Sequence, residues 1–304
     1  MCQINLVVSY PNPDTDGVAC SIAMARLLST ESEKWYAVIL GSIGEETYFV
    51  LKHLKIQPPN GIETFEGVEK IVLVDTHHKS QLPTDFPFDR VLFIIDHHPN
   101  GDCDAFPFAS ITNEKVGAAA SIVAKMYFER NIIDKSMISL LGFAIISNTL
   151  NFSAPSTSHF DKDIYKQISV IYPIHNSLID GMFEQRNSVF ERDMCSALLS
   201  DFKIYDTKCG KIGISQIEAY NLERLIDIRH TVEALKQISI DTDTNLCLFN
   251  GVDIKTKRSI VLAANNDSEE LACSIFKVAE YIEPLVFDRI LLRKTDYIPQ
   301  LNTL

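Results

Sequence analysis

The sequence contains no Cys-x-x-Cys pair, no long Lys/Arg cluster and no apolar run approaching the length of a bilayer. Its seven cysteines are scattered, which argues against a thiolate metal site and predicts a reduced compartment with the cysteines acting as small buried apolar residues. The opening stretch "MCQINLVVSYPNPD" shows no basic region or cleavage site, so a cytoplasmic protein without membrane association is expected. A formal charge of −12 without a basic cluster argues against general nucleic-acid binding. It leaves room for a small anionic substrate, because a bound metal ion inverts the local field. There is no internal repeat and no low-complexity segment.

What is present is a chain of 304 residues, 46% hydrophobic, enough for one large or two ordinary domains. The runs "INLVVS", "WYAVILG", "KIVLVD" and "RVLFIID" are short and apolar and read as buried strands. Between them, "GVACSIAMARLLS" and "EETYFVLKHL" have helical spacing, and a helix-rich region follows to about residue 180. Beyond a polar, charged stretch, "SDFKIYD", "GKIGISQI", "NLCLFNGVDI" and "RSIVLAA" read as further strands, with a helix over "LERLIDIRHTVEALKQI". The expected fold is α/β: a doubly wound, mainly parallel sheet over 1–182, a linker over 183–193, and a smaller α/β domain with a mixed sheet over 194–304.

Three of the early apolar strands lead into acids: Asp14 and Asp16 follow the first, Asp75 ends "KIVLVD", and Asp96 ends "VLFIID". In a parallel sheet these strand ends share one edge, so the acids can converge. Any one Asp there is ordinarily a turn former or a helix cap. The conjunction of three acidic strand ends with the adjacent His97 and His98 points instead to an oxygen/nitrogen ligand set for Mn²⁺, Co²⁺, Fe²⁺ or Mg²⁺. Two such ions a few ångströms apart would clamp a phosphoryl group and acidify a bridging water.

The ordered segments "NPDTD", "LVDTHH", "IIDHHP" and "AIISNTLNF" resemble the four motifs of the DHH phosphoesterase superfamily. With "ITNEKVGAAASIVAKMY", "SDFKIYDTKCGKIGISQIEAYN" and "LLRKTDYIPQL", the chain is similar to family II, manganese-dependent inorganic pyrophosphatases, the last two segments lying in a DHHA2 domain. The resemblance implies an active site in the cleft between the domains, with Mn²⁺ or Co²⁺ as cofactor and Mg²⁺ admitted. Asp14, Asp16, Asp75 and His97 are implied as metal ligands, His98 as a contact to phosphate or the leaving oxygen, and Asp96 as the group that orients the pair. Lys203, Arg293 and Lys294 are implied as a cationic grip on pyrophosphate or a short polyphosphate. The family often forms homodimers through the edge of the first sheet.

The family pattern breaks at two ligand positions. Tyr10 stands where the family has His, and Asn148 stands where it has an Asp that bridges metals; Ser153 also replaces a Lys. An amide keeps an acceptor oxygen but loses the charge. His77, two residues beyond Asp75, is the candidate substitute ligand, with His78 beside it. Hydrolysis of pyrophosphate is the leading expectation, exopolyphosphatase activity is an alternative, and a catalytically impaired binding protein is another. A DHHA1-type nuclease or cyclic-dinucleotide phosphodiesterase is disfavoured because no GGGH-type run occurs.

Overall fold

A computed structural model describes residues 4–208 and 210–301; residues 1–3, Cys209 and residues 302–304, which include the extreme N-terminus considered above, lie outside the described residues. The chain divides into two compact units, Met1–Met182 and Phe183–Leu304.

The first unit runs β1 (Ile4–Val8), α1 (Thr15–Leu28), β2 (Trp35–Ile39), α2 (Glu45–Leu54), β3 (Asn60–Gly61), β4 (Val68–Val74), β5 (Val91–Asp96) and β6 (Ser110–Asn113). Helices α3 (Ala119–Glu129), α4 (Lys135–Asn148), α5 (His159–Ile171) and α6 (Asn176–Glu184) follow, α6 ending just past the unit boundary. The strands form a parallel sheet in the order β3-β2-β1-β4-β5-β6. Continuous apolar runs such as β1 suit a sheet covered on both faces. Helix α1 lies on β1 and β2 and packs against α3 and α4.

On the other face, alternate residues Leu6, Val8, Ile71, Leu73 and Ile94 meet Leu82, Phe86 and Phe106 from loops rather than helices. An aromatic run fastens this cover, with Phe65–Phe86, Phe86–Phe88 and Phe88–Phe106 centroids 5.1, 5.2 and 5.5 Å apart. The winding on this face is therefore done by loops with single 3-10 turns. Strands β3 and β6 are absent from the sequence-based expectation because "NG" and "SITN" are too short and polar to show a period.

The second unit contains α7 (Met194–Leu199), β7 (Phe202–Thr207), β8 (Gly210–Ala219), α8 (Ile228–Asp241), β9 (Leu246–Asp253), β10 (Arg258–Ala263), α9 (Asn266–Phe276), β11 (Leu285–Phe287) and α10 (Ile298–Leu301). Its sheet, in the order β11-β10-β9-β8-β7, is mixed: β8 and β9 are parallel and the other pairs antiparallel. The two-residue period divides its core. Cys247, Phe249, Ile260 and Leu262 pack with α7 and α8, whereas Leu248, Val261 and Ala263 pack with α9, Tyr297 and Leu301.

The stretch 183–193, expected as a linker, is folded. Gln185–Glu191 forms a 3-10 segment, Asn187 exchanges hydrogen bonds with the Tyr220 backbone at 2.9 and 3.0 Å, and Val189 and Phe190 pack into the core of the second unit. Of the described cysteines, all free, Cys20 and Cys247 are buried, but Cys103 is exposed, against the expectation of buried packing. No described helix is long and apolar enough to cross a membrane.

One buried carboxylate ties the helical layer together. Asp161, wholly buried, closes a capping box with Ser158 at the start of α5 and accepts Gly117 N–H at 2.7 Å and Ser121 Oγ–H at 2.6 Å. Removing it orphans several buried donors at once. Asp161→Ala is expected to cost about 3 kcal/mol in urea unfolding; a loss under about 0.5 kcal/mol would show that the network is not stabilising.

Candidate metal centre

The strand order reverses between β1 and β4, because the chain winds outward through β2 and β3 and then returns to β4, β5 and β6 on the other side of β1. Loops leaving β1 and β4 must diverge there, and the crevice that they leave is where ligands bind in open α/β sheets. Asp14 and Asp16 follow β1, Asp75 follows β4, and Asp96, His97 and His98 sit at the end of neighbouring β5.

Asp75 takes a left-handed backbone conformation, φ 60°, which costs a non-glycine residue roughly 1–2 kcal/mol. Its N–H donates to Ile95 O at 2.7 Å, fastening the turn to β5, and its carboxylate is 1% exposed. Asp14 is the exposed N-cap of α1: Oδ1 accepts the N–H groups of Asp16 and Gly17 at 2.9 and 3.0 Å. Gly17 allows close approach, since a Cβ there would lie 2.6 Å from Ser9 Oγ. Tyr10 Oη accepts Asp14 N–H at 3.3 Å, and burial, then Asp14 and Asp75, push the phenol well above its ordinary pKa.

Asp96 is the hub behind the histidines. It accepts His77 Nδ1–H on Oδ2, and on Oδ1 it accepts the His97 N–H at 2.7 Å, the His98 N–H at 3.2 Å and His98 Nδ1–H at 2.8 Å. Burial raises its pKa, but the hydrogen bonds and charges of His98, His77 and the His97 N–H outweigh burial and hold it well below the usual carboxylate range. His77, expected as a substitute ligand, lies behind Asp96, 2% exposed. Its ring packs where a Cβ on Gly101 would come within 1.8 Å. Its Nδ1 contacts the hub. His78 flanks it, with centroids 5.4 Å apart.

His97 carries the metal-binding signature. Its Nδ1 lies 3.0 Å from Val116 O, a partner that can only accept, so Nδ1 carries a proton and, in the neutral ring, Nε2 is the nitrogen left to bind a metal. Nε2 in turn lies 3.2 Å from Asp75 Oδ1. Two acceptors at that distance require a proton or a cation between them. Ligands about 2.2 Å from one ion and at right angles lie about 3 Å apart, so the pair fits adjacent corners of an octahedral site. Asp75, Asp96, His97 and His98 each bring a ligand atom within 4.8 Å of the others. Because Asp96 is already filled with donors, Asp75 and His97 are the members of this group that fit a divalent ion.

Asp16 is arranged differently. It is wholly buried, and its carboxylate caps α3: Oδ2 accepts Ala119 N–H at 2.7 Å and Oδ1 accepts Ala120 N–H at 2.8 Å. Oδ2 also accepts the Asn148 amide at 3.1 Å, and Cys20 Sγ lies 3.5 Å from Oδ1. Burial and then the Asp75 charge raise its pKa, with His97 and the Ala120 N–H opposing. The Asn148 Nδ2 also donates to Gly117 O at 2.9 Å and lies 3.5 Å from His97 Nε2. Leu150, Asn151 and Phe152, which begin two residues after it, all have positive φ, and Thr149 Oγ1 and O bind the turn back onto itself.

In the second unit, Lys203 on β7 and Lys294 are exposed. Partial desolvation first, and then Arg293 and Lys294, lower the Lys203 pKa against the pull of Asp201. Arg293, expected beside them in the grip, is 5% exposed. Its Nη1 donates to Asp201 O and Ile214 O at 2.7 and 3.1 Å, and its Nη2 to the Asp201 carboxylate at 2.6 Å. Arg293 thus anchors the turn that carries Lys294. Sequence reasoning missed Val116 and Asn113, whose Nδ2 donates to His98 O at 2.9 Å. Val116 acts through a backbone carbonyl, which no side-chain motif signals.

A buried carboxylate–imidazole pair at the switch point of a parallel sheet, backed by a histidine-bonded aspartate, is a ligand set that could hold a divalent metal ion. The DHH family, N-terminal domain, matches residues 5–145, and the DHHA2 domain matches residues 180–304. A probable manganese-dependent inorganic pyrophosphatase of Bacillus cereus is 30% identical over 267 residues, 86% of each chain. The manganese-dependent inorganic pyrophosphatase of Methanocaldococcus jannaschii is 29% identical over 308 residues, 97% of each chain. A crystal structure assigned to family II inorganic pyrophosphatase from Methanococcus jannaschii superposes with a TM-score of 0.76 at 28% identity, covering 98% of each chain. The chain belongs to the manganese-dependent, family II inorganic pyrophosphatase family, built from a DHH and a DHHA2 domain.

The geometry separates ligand from support. In calorimetric titration with Mn²⁺, His97→Ala is expected to weaken binding at least about 100-fold and His77→Ala by about 10-fold, as for a residue that orients a ligand. Equal losses would place His77 among the ligands.

Proposed function

We propose that the chain hydrolyses inorganic pyrophosphate to two phosphates in a divalent-metal-dependent reaction, with Mn²⁺ or Co²⁺ preferred. The observation that carries this reading is the Asp75–His97 pair, two acceptors 3.2 Å apart with the imidazole tautomer set by Val116 O. A divalent ion held there supplies Lewis-acid polarisation of phosphoryl oxygens and acidifies water.

The chain's own residues do the rest. His98, anchored through Nδ1 on Asp96, presents Nε2 to a phosphoryl or leaving oxygen, and Asp96 keeps that ring in register. Asp14 caps α1 through Oδ1, and its second oxygen accepts no hydrogen bond from the described chain. Lys203 and Lys294 provide the positive charge that binds the phosphates, with Arg293 holding Lys294 in place through Asp201. Phosphoanhydride cleavage depends on such positioning and charge neutralisation more than on covalent chemistry.

The test is phosphate release from pyrophosphate and from tripolyphosphate after chelation and re-addition of Mn²⁺, Co²⁺ or Mg²⁺. Metal-dependent release from pyrophosphate is expected, with Lys203→Ala raising KM about 10-fold or more. A marked preference for tripolyphosphate would move the chain to the polyphosphate branch, for which Tyr10 in the histidine position is the relevant feature. No release under any metal would overturn the hydrolase reading and leave a binding protein.

A further inference from the structure

We infer that Asp161 is a positioning residue for His97: its carboxylate acts through the one peptide between Val116 and Gly117, holding the His97 proton on Nδ1 and making Nε2 the better metal donor. The inference rests on the reading above that His97 holds a divalent ion, and it extends the site to a helix cap in the layer behind.

Asp161 Oδ2 accepts Gly117 N–H at 2.7 Å, and Val116 O lies 3.0 Å from His97 Nδ1. That N–H and that C=O belong to the same peptide unit, whose planar trans geometry points them in opposite directions. A carboxylate on the N–H side polarises the carbonyl on the far side, because hydrogen bonds in a chain strengthen one another and a charged acceptor strengthens them most. Asp161 is 0% exposed and Val116 6%, so water competes little for either bond. The more negative carbonyl holds the Nδ1 proton more firmly and, in the neutral ring, leaves Nε2 richer in electron density. A metal-bound imidazole ordinarily gives its other N–H to a carboxylate or a carbonyl; here the two act in series.

Capping α5 does not account for this arrangement. The cap needs Asp161 Oδ2 only for the Ser158 N–H and Oγ–H, at 2.7 and 2.6 Å. Position 117 is nevertheless open to the same oxygen: a Cβ there would lie 2.9 Å from Asp161 Oδ2 and 2.8 Å from Thr149 Cγ2, so glycine is what lets the peptide reach the carboxylate. The next peptide is held as well, since Gly117 O accepts the Asn148 amide at 2.9 Å. Both peptides flanking Gly117 are thus tied, which fixes the direction of the Val116 carbonyl.

The test reads the imidazole nitrogen resonances of the metal-free full chain with isotope-labelled histidine, at a pH where the ring is neutral. The His97 signals are identified by their loss in His97→Ala, and Mn²⁺ affinity is measured by calorimetry on the same samples. Asp161→Asn keeps the shape and an oxygen for Gly117 N–H but removes the charge. Ser121→Ala removes the 2.6 Å bond to the other oxygen, Oδ1, and leaves the relay intact. Wild type is expected to show the Nδ1–H tautomer. Asp161→Asn is expected to move part of that proton to Nε2 and to weaken Mn²⁺ binding about 10-fold, whereas Ser121→Ala melts lower with both readouts unchanged. Gly117→Ala, which pushes the peptide off an intact carboxylate, is expected to match Asp161→Asn and serves if that variant does not fold. Nε2–H in wild type would overturn the inference whatever the variants do. So would unmoved His97 resonances in Asp161→Asn, or an equal shift in Ser121→Ala, either of which leaves Asp161 a merely structural residue. Wild type with the Nδ1–H tautomer but no affinity for Mn²⁺ sinks the metal-dependent reading instead.

Discussion

The first unit is organised around negative charge that has been taken out of water. Asp16, Asp75 and Asp96 are each 1% exposed or less and lie at or beyond the C-terminal ends of adjacent parallel strands. At an effective dielectric constant near 20, two unit charges 4 Å apart repel by about 4 kcal/mol. The fold is stable only if each carboxylate finds its own compensation, and the three find different kinds. Asp96 takes two imidazoles and two backbone N–H groups. Asp16 takes a helix start and an amide. Asp75 faces His97 Nε2 at 3.2 Å.

Meeting these demands shapes the surrounding loops. The α5 cap at Asp161 draws in the Gly117 N–H, which sets the peptide whose neighbours matter most. Val116 O fixes the His97 tautomer, and Gly117 O takes the Asn148 amide. A hydrogen-bond relay thus runs from a helix cap to a candidate metal ligand. Asp75 and Leu150–Phe152 take left-handed conformations. Such conformations persist only where surrounding bonds over-determine them, and here the Ile95 and Thr149 contacts do so.

The second unit handles charge of the opposite sign in a similar way. Arg293 spends its guanidinium on Asp201 and the Ile214 carbonyl, whereas Lys203 and Lys294 are exposed. A planar five-donor fork suits the internal anchor, and flexible ammonium groups suit a ligand that must be gripped and released. Residues close in sequence and equal in charge therefore do different work.

How much of this was legible depends on the range of the interaction. Apolar runs ending in acids reveal parallel strands with their C-terminal ends aligned, because period and strand end are local features. The "DHH" triplet and the acids after β1 and β4 locate the site on the same grounds. The loop-built second face was not visible, since Phe65, Phe86, Phe88 and Phe106 follow no period. Nor were the partners of the site. Asp16 meets Ala119 across 103 positions and Asn148 across 132. Residue types by themselves determined that carboxylates and imidazoles would gather at one sheet edge. Only the tertiary structure decided which of them are already satisfied by protein donors and which still face another acceptor, because hydrogen-bond saturation is a property of three-dimensional neighbours and not of sequence order.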